Sequence, residues 1–348
     1  MRLATFVHIS DLHFGHIDPV SLNANAPGLW AKHSGFDGLL GHSYKSLLRL
    51  EKFFDQMRRA EDARLIVTGD LTTVGHPDQF TMADEFLGGI LRFPKGNPIG
   101  LRAPDWKDRG VPGNHDHWPG HSQIWGGPTS GLAATFTAMP YVNDPPLSLS
   151  SGHELRFMGI DTDADVSPKG TDRFLAKGSF TSQLNSLAAM LSIPTADEIR
   201  VLCLHHSQEL NSFTLKMDAL SRDALRDFIV DQDIAVLLCG HVHTPPLVKS
   251  FTATHLGLGT SAAFLEARCG TTTQTSTLPY TWRTILGNRP RRVNRMPNSL
   301  LVHRLLMEGT EIYWHTEVYV ERPQDFYKPA SLPPGILVDD RVKVWPRP

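Results

Sequence analysis

Five short apolar runs along the chain each end abruptly at a polar side chain. The runs are aliphatic or β-branched, and they are continuous rather than alternating. Continuous apolar runs of this length are typical of strands that are covered on both faces. We therefore predict buried strands in ATFVHIS, RLIVTG, LRFMGI, IRVLCL and IAVLLCG, which directly precede Asp11, Asp70, Asp161, His205 and His241.

Amphipathic patterns with helical spacing lie between these runs. Apolar side chains recur on one broad face of the segment Ser43–Ala60, and Asp78 is a candidate N-cap for a helix over Asp78–Leu91. Helices are also predicted over Phe180–Leu191 and Asp218–Val230. Because strand and helix patterns alternate over most of this region, the sequence predicts a layered α/β fold.

The pattern changes after Pro246. Strands are predicted in ATHLGLGTSAAF, LLVHRLLM and EIYWHTEVYV, and EGT between the last two predicts a hairpin turn. Residues 15–42 and 270–299 are long segments without a strong strand or helix pattern, and we interpret them as insertions. We predict one domain over residues 1–320 that contains both insertions, followed by an extended, proline-rich C-terminal tail over residues 321–348.

Composition narrows the classes of function. The 348 residues are 41% hydrophobic and 20% charged, with a net charge of −2, which is typical of a globular protein. Long nucleic acid is a poor candidate partner because binding its phosphate backbone requires a basic track.

The cysteines and the apolar runs bear on location. Cys203, Cys239 and Cys269 lack metal-site spacing and favour buried thiols in a reducing compartment. No apolar run approaches the roughly 20 residues of a membrane span, and the N-terminal run is short for a secretory leader, so we expect a cytoplasmic protein.

The polar side chains that follow the predicted strands form a candidate metal-ligand set. In open α/β sheets, ligands collect at the carboxyl ends of strands. Carboxylates, an amide oxygen and imidazoles together suit Mn, Fe or Zn better than Ca²⁺ or Mg²⁺. The set is too large for one tetrahedral ion and fits two ions that share a carboxylate. In chain order it contains Asp11, His13, Asp70, Asn114, His205 or His206, His241 and His243.

Two pairs in this set are separated by one residue, Asp11 with His13 and His241 with His243. At an extended strand end, residues i and i+2 point the same way, so each pair is expected to converge on one point. Glycines directly precede three members of the set, where the backbone would have to turn sharply.

The order of these blocks resembles a known family. D-x-H, G-D, G-N-H-D, H and G-H-x-H, in this order, form the signature of the calcineurin-like metallophosphoesterases, and every block is present within residues 4–262. The runs GDLTTVGHPDQF and DTDAD…KGSFTSQLNSL are similar to the class III cyclic-nucleotide phosphodiesterase branch. The resemblance implies an α/β fold in which two mixed β-sheets face each other and helices flank them, the four-layer sandwich of the family.

The resemblance also implies which residues hold which ion. Two transition metal ions are expected, divalent or mixed-valence Mn, Fe or Zn, with Mn or Fe favoured. His205 is preferred over His206 because the family's ligand directly follows the strand. By resemblance, one ion is held by Asp11, His13 and His243, the other by Asn114, His205 and His241, and Asp70 bridges the two.

The implied activity is metal-dependent hydrolysis of a small phosphodiester, such as a cyclic nucleotide or a glycerophosphodiester. A metal-bridging hydroxide would attack phosphorus in line. His115 would stabilise the phosphate or act as general acid, and Asp116 would orient the His115 imidazole through a hydrogen bond. His16 and His206 are expected to contact substrate.

Three alternatives remain at this stage: a phosphomonoesterase, a nucleotide pyrophosphatase and a non-catalytic scaffold on the same fold. A phosphatase would require an arginine to grip the monoester, and Arg173 is the candidate. The intact ligand set favours an enzyme over a scaffold.

Overall fold

The structure is a computed structural model, and most of the chain is described. The described residues are 1–17, 22, 24–25, 41–93, 95–121, 125–208, 215–241, 247–252, 263–273, 297–332 and 339–346.

The strands within these ranges are mostly short. They are β1 (Arg2–Ile9), β2 (His16–Ile17), β3 (Ala24–Asn25), β4 (Arg64–Thr68), β5 (Gly110–Val111), β6 (Tyr141–Val142), β7 (Leu147–Ser148), β8 (Glu154–Gly159), β9 (Glu198–Cys203), β10 (Ile234–Cys239), β11 (Leu247–Thr252), β12 (Ala263–Arg268), β13 (Ser299–Glu308), β14 (Glu311–Glu321), β15 (Phe326–Tyr327) and β16 (Asp339–Trp345).

The α-helices are amphipathic or short. They are α1 (Tyr44–Glu61), α2 (Pro77–Gly88), α3 (Ser130–Thr135), α4 (Thr171–Phe174), α5 (Thr181–Met190) and α6 (Ala219–Asp231). Two 3-10 helices, Trp106–Arg109 and Asn114–His117, flank β5. No helix in the described ranges has both the length and the apolar character that a bilayer crossing requires.

Two mixed sheets organise the molecule. The first has the order β15-β14-β13-β1-β4-β5, with β16 also paired to β14, and its strands β1, β4 and β5 run parallel. The second has the order β11-β12-β10-β9-β8-β6, with β7 also paired to β8, and β8, β9, β10 and β12 run parallel. The prediction of two mixed sheets with flanking helices is confirmed.

Alternation along the strands explains why their apolar runs are continuous. In β1, Phe6 packs into the core between the sheets, whereas Val7 and Ile9 pack outward against α1 and α2. The second sheet does the same, since Val201 faces the first sheet and Leu202 packs in the cluster that includes α5 and α6. Both faces of the central strands of each sheet are therefore buried, in four layers.

Helix starts follow the predictions with one correction. Ser43 and Asp218 cap α1 and α6 by accepting hydrogen bonds from backbone N–H groups three residues later. The N-cap prediction for Asp78 is wrong, because α2 begins earlier. His76 is the cap, its Nδ1 accepts from the Asp78 N–H at 3.2 Å, and Pro77 occupies the first helical position, which needs no N–H.

The C-terminal third adds strands to both sheets. The predicted hairpin is confirmed as β13 and β14, which pair from Ser299 with Val320 to Glu308 with Glu311. Residues 321–348, predicted as an extended tail, contribute β15 and β16 to the first sheet. Residues 253–262 of the predicted strand ATHLGLGTSAAF, and most of the two predicted insertions, lie outside the described residues.

Replacing Phe157 with alanine should test the packing between the sheets. Its buried ring meets Phe6 edge-on, with centroids 5.1 Å apart. We expect Phe157→Ala to lower the free energy of unfolding by about 3–5 kcal/mol, because it leaves a cavity in a close-packed core. Denaturant unfolding measures this, with Ile193→Ala (89% exposed) as a control that should change stability by less than about 0.5 kcal/mol. A loss below about 1 kcal/mol for Phe157→Ala would contradict this packing.

Candidate metal centre

The candidate ligands lie in turns at the carboxyl ends of five strands. Asp11 and His13 follow β1, Asp70 follows β4, and the turn with Asn114 follows β5, all in the first sheet. His205 and His241 follow β9 and β10 in the second. Because the strands within each of these sets run parallel, their ends share an edge of their sheet. Because the two sheets pack face to face, these two edges lie next to each other.

Left-handed backbone turns aim several of these side chains. Asp11, His13, Asp70 and His241 have φ of 54°, 50°, 52° and 76°, a conformation that costs about 1–3 kcal/mol for a residue with a Cβ. Hydrogen bonds from the Asp11 and His13 N–H groups to the carbonyls of Gly69 and Asp70 hold two of these turns. The predicted extended geometry for Asp11 and His13 is therefore wrong, although their side chains do converge.

Two glycines allow these turns to approach each other. Gly69 has φ +91° and needs the freedom of glycine, and a Cβ there would collide with the His205 ring. A Cβ on Gly113 would collide with the Asp70 carboxylate. The backbone of one turn thus packs directly against the ligands of another.

One cluster of potential ligands surrounds His205 Nε2. This atom lies 3.4 Å from Asp70 Oδ2, 3.3 Å from Asn114 Oδ1 and 3.2 Å from His241 Nδ1. The other ring nitrogen, Nδ1, donates to the Thr68 carbonyl at 2.6 Å, which fixes the tautomer of a neutral ring and turns the Nε2 lone pair toward the cluster. Asp70, His205 and His241 are close enough to hold one metal ion.

A second cluster contains Asp11, His13 and Asp70, whose ligand atoms all lie within 4.8 Å of one another. His13 Nδ1 donates to the Thr72 carbonyl at 3.3 Å, and its Nε2 lies 3.9 Å from Asp70 Oδ2. Asp11 Oδ2 accepts from the His241 N–H at 3.1 Å, which ties this cluster to the first.

Asp70 belongs to both clusters. Its Oδ1 accepts from the His115 N–H at 2.8 Å, and its Oδ2 lies between the imidazoles of His13 and His205. The residue is 1% exposed, and Oδ2 accepts no hydrogen bond from the described residues. A buried carboxylate oxygen is energetically unfavourable unless a positive charge lies beside it.

The pKa values of His205 and Asp70 also show that the site favours positive charge. Burial alone would lower the pKa of His205, but the negative charge of Asp70, whose Oδ2 lies 3.4 Å from Nε2, and the charge of Asp11 raise it to about 10. Burial would raise the pKa of Asp70, yet the imidazoles of His205, His115 and His13 hold it well below its usual range. The site therefore stabilises a cation, and its oxygen and nitrogen atoms fit a transition metal ion.

His115 lies at the edge of the two clusters. Its Nδ1 donates to the Thr73 carbonyl at 2.9 Å, and its ring meets the His13 ring edge-on, with centroids 4.9 Å apart. The prediction that Asp116 orients this imidazole is wrong, because the Thr73 carbonyl does so.

The Asp116 carboxylate instead ties together the turns that follow β4 and β5. It accepts from the N–H groups of Leu71, Thr72 and Gly113 and from the Thr72 hydroxyl, at 2.9–3.2 Å. Burial, followed by the charge of Asp70, raises the pKa of Asp116 to about 6, although these hydrogen bonds favour the carboxylate. Asp116 is therefore a structural support for the turns that carry Asp70 and Asn114.

The remaining predicted site residues differ in position. His206 is buried, with Nδ1 2.8 Å from Thr162 Oγ1 and Nε2 donating to the Ala176 carbonyl, and its ring packs on His241 with centroids 4.1 Å apart. In this position His206 supports the ring of His241, and its contact with substrate stays a prediction. His16 is exposed on the two-stranded sheet of β2 and β3. His243 lies outside the described residues.

Sequence reasoning missed a threonine run that holds the first turn. The hydroxyls of Thr271 and Thr273 donate to the carbonyls of Asp11 and Leu12 at 3.0 and 2.8 Å. The repeated threonines shortly after β12, beyond Cys269 and Gly270, were the available signal, because hydroxyls near a strand end can bind neighbouring backbone.

A buried ion pair also supports the site. His117 Nε2 lies 2.9 Å from both oxygens of Asp161, which joins the turn after β5 to the end of β8 in the other sheet. Arg173, the candidate for gripping a monoester, is buried and donates to the His117 carbonyl at 3.0 Å.

A third group of potential ligands, His315, Glu317 and Asp339, lies on β14 and β16. The Lys328 ammonium already contacts Glu317 and Asp339 at 2.7 and 2.9 Å. Because a protein cation occupies this group, it is a weaker candidate than the clusters around Asp70.

Comparison with protein families identifies the family of this chain. The family model for calcineurin-like phosphoesterases matches residues 4–245, which is more than half of the chain and includes every candidate ligand. A search of curated proteins found no match.

The pair of His117 and Asp161 predicts a pH dependence of stability. Burial lowers the pKa of His117, but the Asp161 charge and hydrogen bond outweigh burial and raise it to about 8. The folded-state pKa is above the unfolded value, so the stabilisation is complete below about pH 6.5 and is lost as the pH rises through about 8. In metal-free protein, Asp161→Asn should therefore lower the free energy of unfolding by about 2 kcal/mol more at pH 6 than at pH 9.

Denaturant unfolding at the two pH values measures this difference. Asp227→Asn, at an exposed position, is the matched control and should show no such change. An equal loss for Asp161→Asn at both pH values would contradict a charged pair.

Proposed function

The chain belongs to the calcineurin-like phosphoesterase family, and from that premise we propose that it is a dinuclear phosphodiesterase. Family membership makes it a metal-dependent phosphoester hydrolase; the two-ion centre and the diester substrate are our proposal. The observation that carries it is the Asp70 carboxylate, which belongs to both clusters of potential ligands.

Each ion would have its own ligands in addition to Asp70. Asn114, His205 and His241 would hold one ion, and Asp11, His13 and His243 the other. When bound, two such ions supply an activated water at neutral pH and neutralise the phosphate oxygens. The mixed imidazole and oxygen ligands favour Mn or Fe, with Zn as the alternative.

His115 would act on the leaving group. Because its Nδ1–H is engaged by the Thr73 carbonyl, proton transfer to the substrate would use Nε2. A positioned imidazole of this kind either hydrogen bonds a phosphate oxygen or protonates the leaving oxygen as the P–O bond breaks.

The contacts of Arg173 support a diester over a monoester substrate. A phosphomonoester carries more negative charge and would need an additional cation, yet the Arg173 guanidinium donates to the carbonyls of His117 and Val166. We therefore propose a small phosphodiester, such as a cyclic nucleotide or a glycerophosphodiester, in keeping with the resemblance to the class III phosphodiesterases.

Metal replacement tests the proposed reaction. Chelator-stripped protein refilled with Mn²⁺ should hydrolyse bis-p-nitrophenyl phosphate faster than p-nitrophenyl phosphate, and stripped protein should hydrolyse neither. Faster monoester turnover would instead favour a phosphomonoesterase. Two bound ions without turnover of either compound would favour a scaffold.

Replacing the shared carboxylate tests the two-ion centre. Asp70→Asn should lower diester turnover by more than about a hundredfold. Replacing a residue that only orients a metal ligand already lowers metal affinity or activity by about 10–100-fold. Metal analysis should also show fewer than two Mn²⁺ per chain. The control is Asp172→Asn, an exposed aspartate that pairs with Lys177, which should behave as the wild type. An Asp70→Asn variant that keeps two ions and full turnover would contradict the proposal.

His115→Ala tests the role of the imidazole. We expect metal content to stay at the wild-type value, while hydrolysis of a diester with a poor leaving group falls by about 10²–10⁴. Hydrolysis of bis-p-nitrophenyl phosphate should slow by a smaller factor, because p-nitrophenolate leaves without a proton from a general acid. If the poor leaving group is released at the wild-type rate, His115 is not a general acid.

A further inference from the structure

Trp118 stacks on the imidazole of His115. The ring centroids are 4.5 Å apart and the planes are inclined by 22°. Trp118 follows the short 3-10 helix Asn114–His117. The backbone N–H of Trp118 donates to the His115 carbonyl at 3.2 Å. The stack is therefore built into the same turn that carries His115.

The position of Trp118 is not explained by the main cores. The side chain is 7% exposed, yet it packs with Val74 in a cluster of two, separate from the cores between and outside the sheets. The neighbouring backbone fits closely, since a Cβ on Gly75 would collide with the Trp118 carbonyl and the Gly120 N–H donates to the Val74 carbonyl at 2.8 Å. The backbone next to Trp118 is thus closely packed and hydrogen-bonded, and the indole face lies against His115.

The stack restrains a motion that the hydrogen bond of His115 allows. The hydrogen bond from Nδ1 to the Thr73 carbonyl fixes one atom of the ring, but by itself it lets the ring plane tilt about that atom. The indole covers one face of the ring, and the edge-on contact with His13 limits it further. Together these contacts fix where Nε2 points.

We propose that Trp118 is a positioning residue that holds the plane of the His115 imidazole so that Nε2 reaches the leaving oxygen. This inference rests on the proposed role of His115 as general acid. In that step, the P–O bond to the leaving group breaks, the leaving oxygen takes the Nε2 proton, and the imidazolium becomes neutral imidazole. Misplacing Nε2 slows only reactions that need this proton.

Leaving-group dependence tests the proposal. Mn²⁺-loaded Trp118→Leu should hydrolyse methyl phenyl phosphate about tenfold more slowly than the wild type, the upper range for loss of an aromatic pair. Methyl p-nitrophenyl phosphate should be affected less than about threefold, because p-nitrophenolate leaves without a proton. KM should be unchanged for both esters. Trp118→Phe, which keeps a ring, should restore most of the phenyl ester rate.

Control variants separate positioning from folding. Trp125→Leu removes a tryptophan that is 46% exposed and should match the wild type on both esters. Metal content and the unfolding midpoint are measured for every variant. Trp118→Met keeps bulk beside Val74 without an aromatic face, so it replaces Trp118→Leu if that variant fails to fold.

A double-mutant cycle with His115→Ala gives the decisive comparison. If Trp118 acts through His115, the variant with both His115→Ala and Trp118→Leu should be no slower on the phenyl ester than His115→Ala alone. Equal slowing of both esters by Trp118→Leu at normal metal content, or additive effects in the cycle, would overturn the inference. A wild-type rate for His115→Ala on the phenyl ester would instead overturn the general-acid role itself.

Discussion

The structure depends on one buried charge, the carboxylate of Asp70. One of its oxygens is held by the His115 N–H, and the other lies between the imidazoles of His13 and His205. A carboxylate that is 1% exposed is strongly unfavourable unless positive charge compensates it. The surrounding imidazoles meet part of this need, and in our proposal two metal ions meet the rest. The raised pKa of His205 reflects the same requirement.

The fold creates this position by bringing two sheet edges together. The first sheet supplies Asp70 and the second supplies His205, and a shared apolar core fixes the distance between the sheets. The left-handed turns at Asp70 and His241 are locally unfavourable and persist because surrounding contacts hold them. Asp116 is one such contact, since its carboxylate bonds to the backbone of two neighbouring turns. The packing of the layers thus keeps the candidate ligands close together.

The sequence predicted most of the strands and helices, and the polar side chains that meet at the strand ends, because each depends on local patterns. Continuous apolar runs that end at Asp70 or His205 indicate a covered strand and the polar group at its carboxyl end. The partners of Asp116 and the carbonyl that orients His115 were not predictable in this way. Both depend on which turns meet in space, and a backbone carbonyl such as that of Thr73 has no sequence signature. The stack of Trp118 on His115 has the same origin.

The central claim is that Asp70 joins two metal ions in one centre. Electron paramagnetic resonance of the Mn²⁺-loaded protein, combined with metal analysis of the same sample, tests it most directly. The account predicts two Mn²⁺ per chain and the spectrum of an exchange-coupled pair, since ions that share a carboxylate are close enough to couple. One ion per chain, or two ions with the spectrum of isolated Mn²⁺, would contradict it.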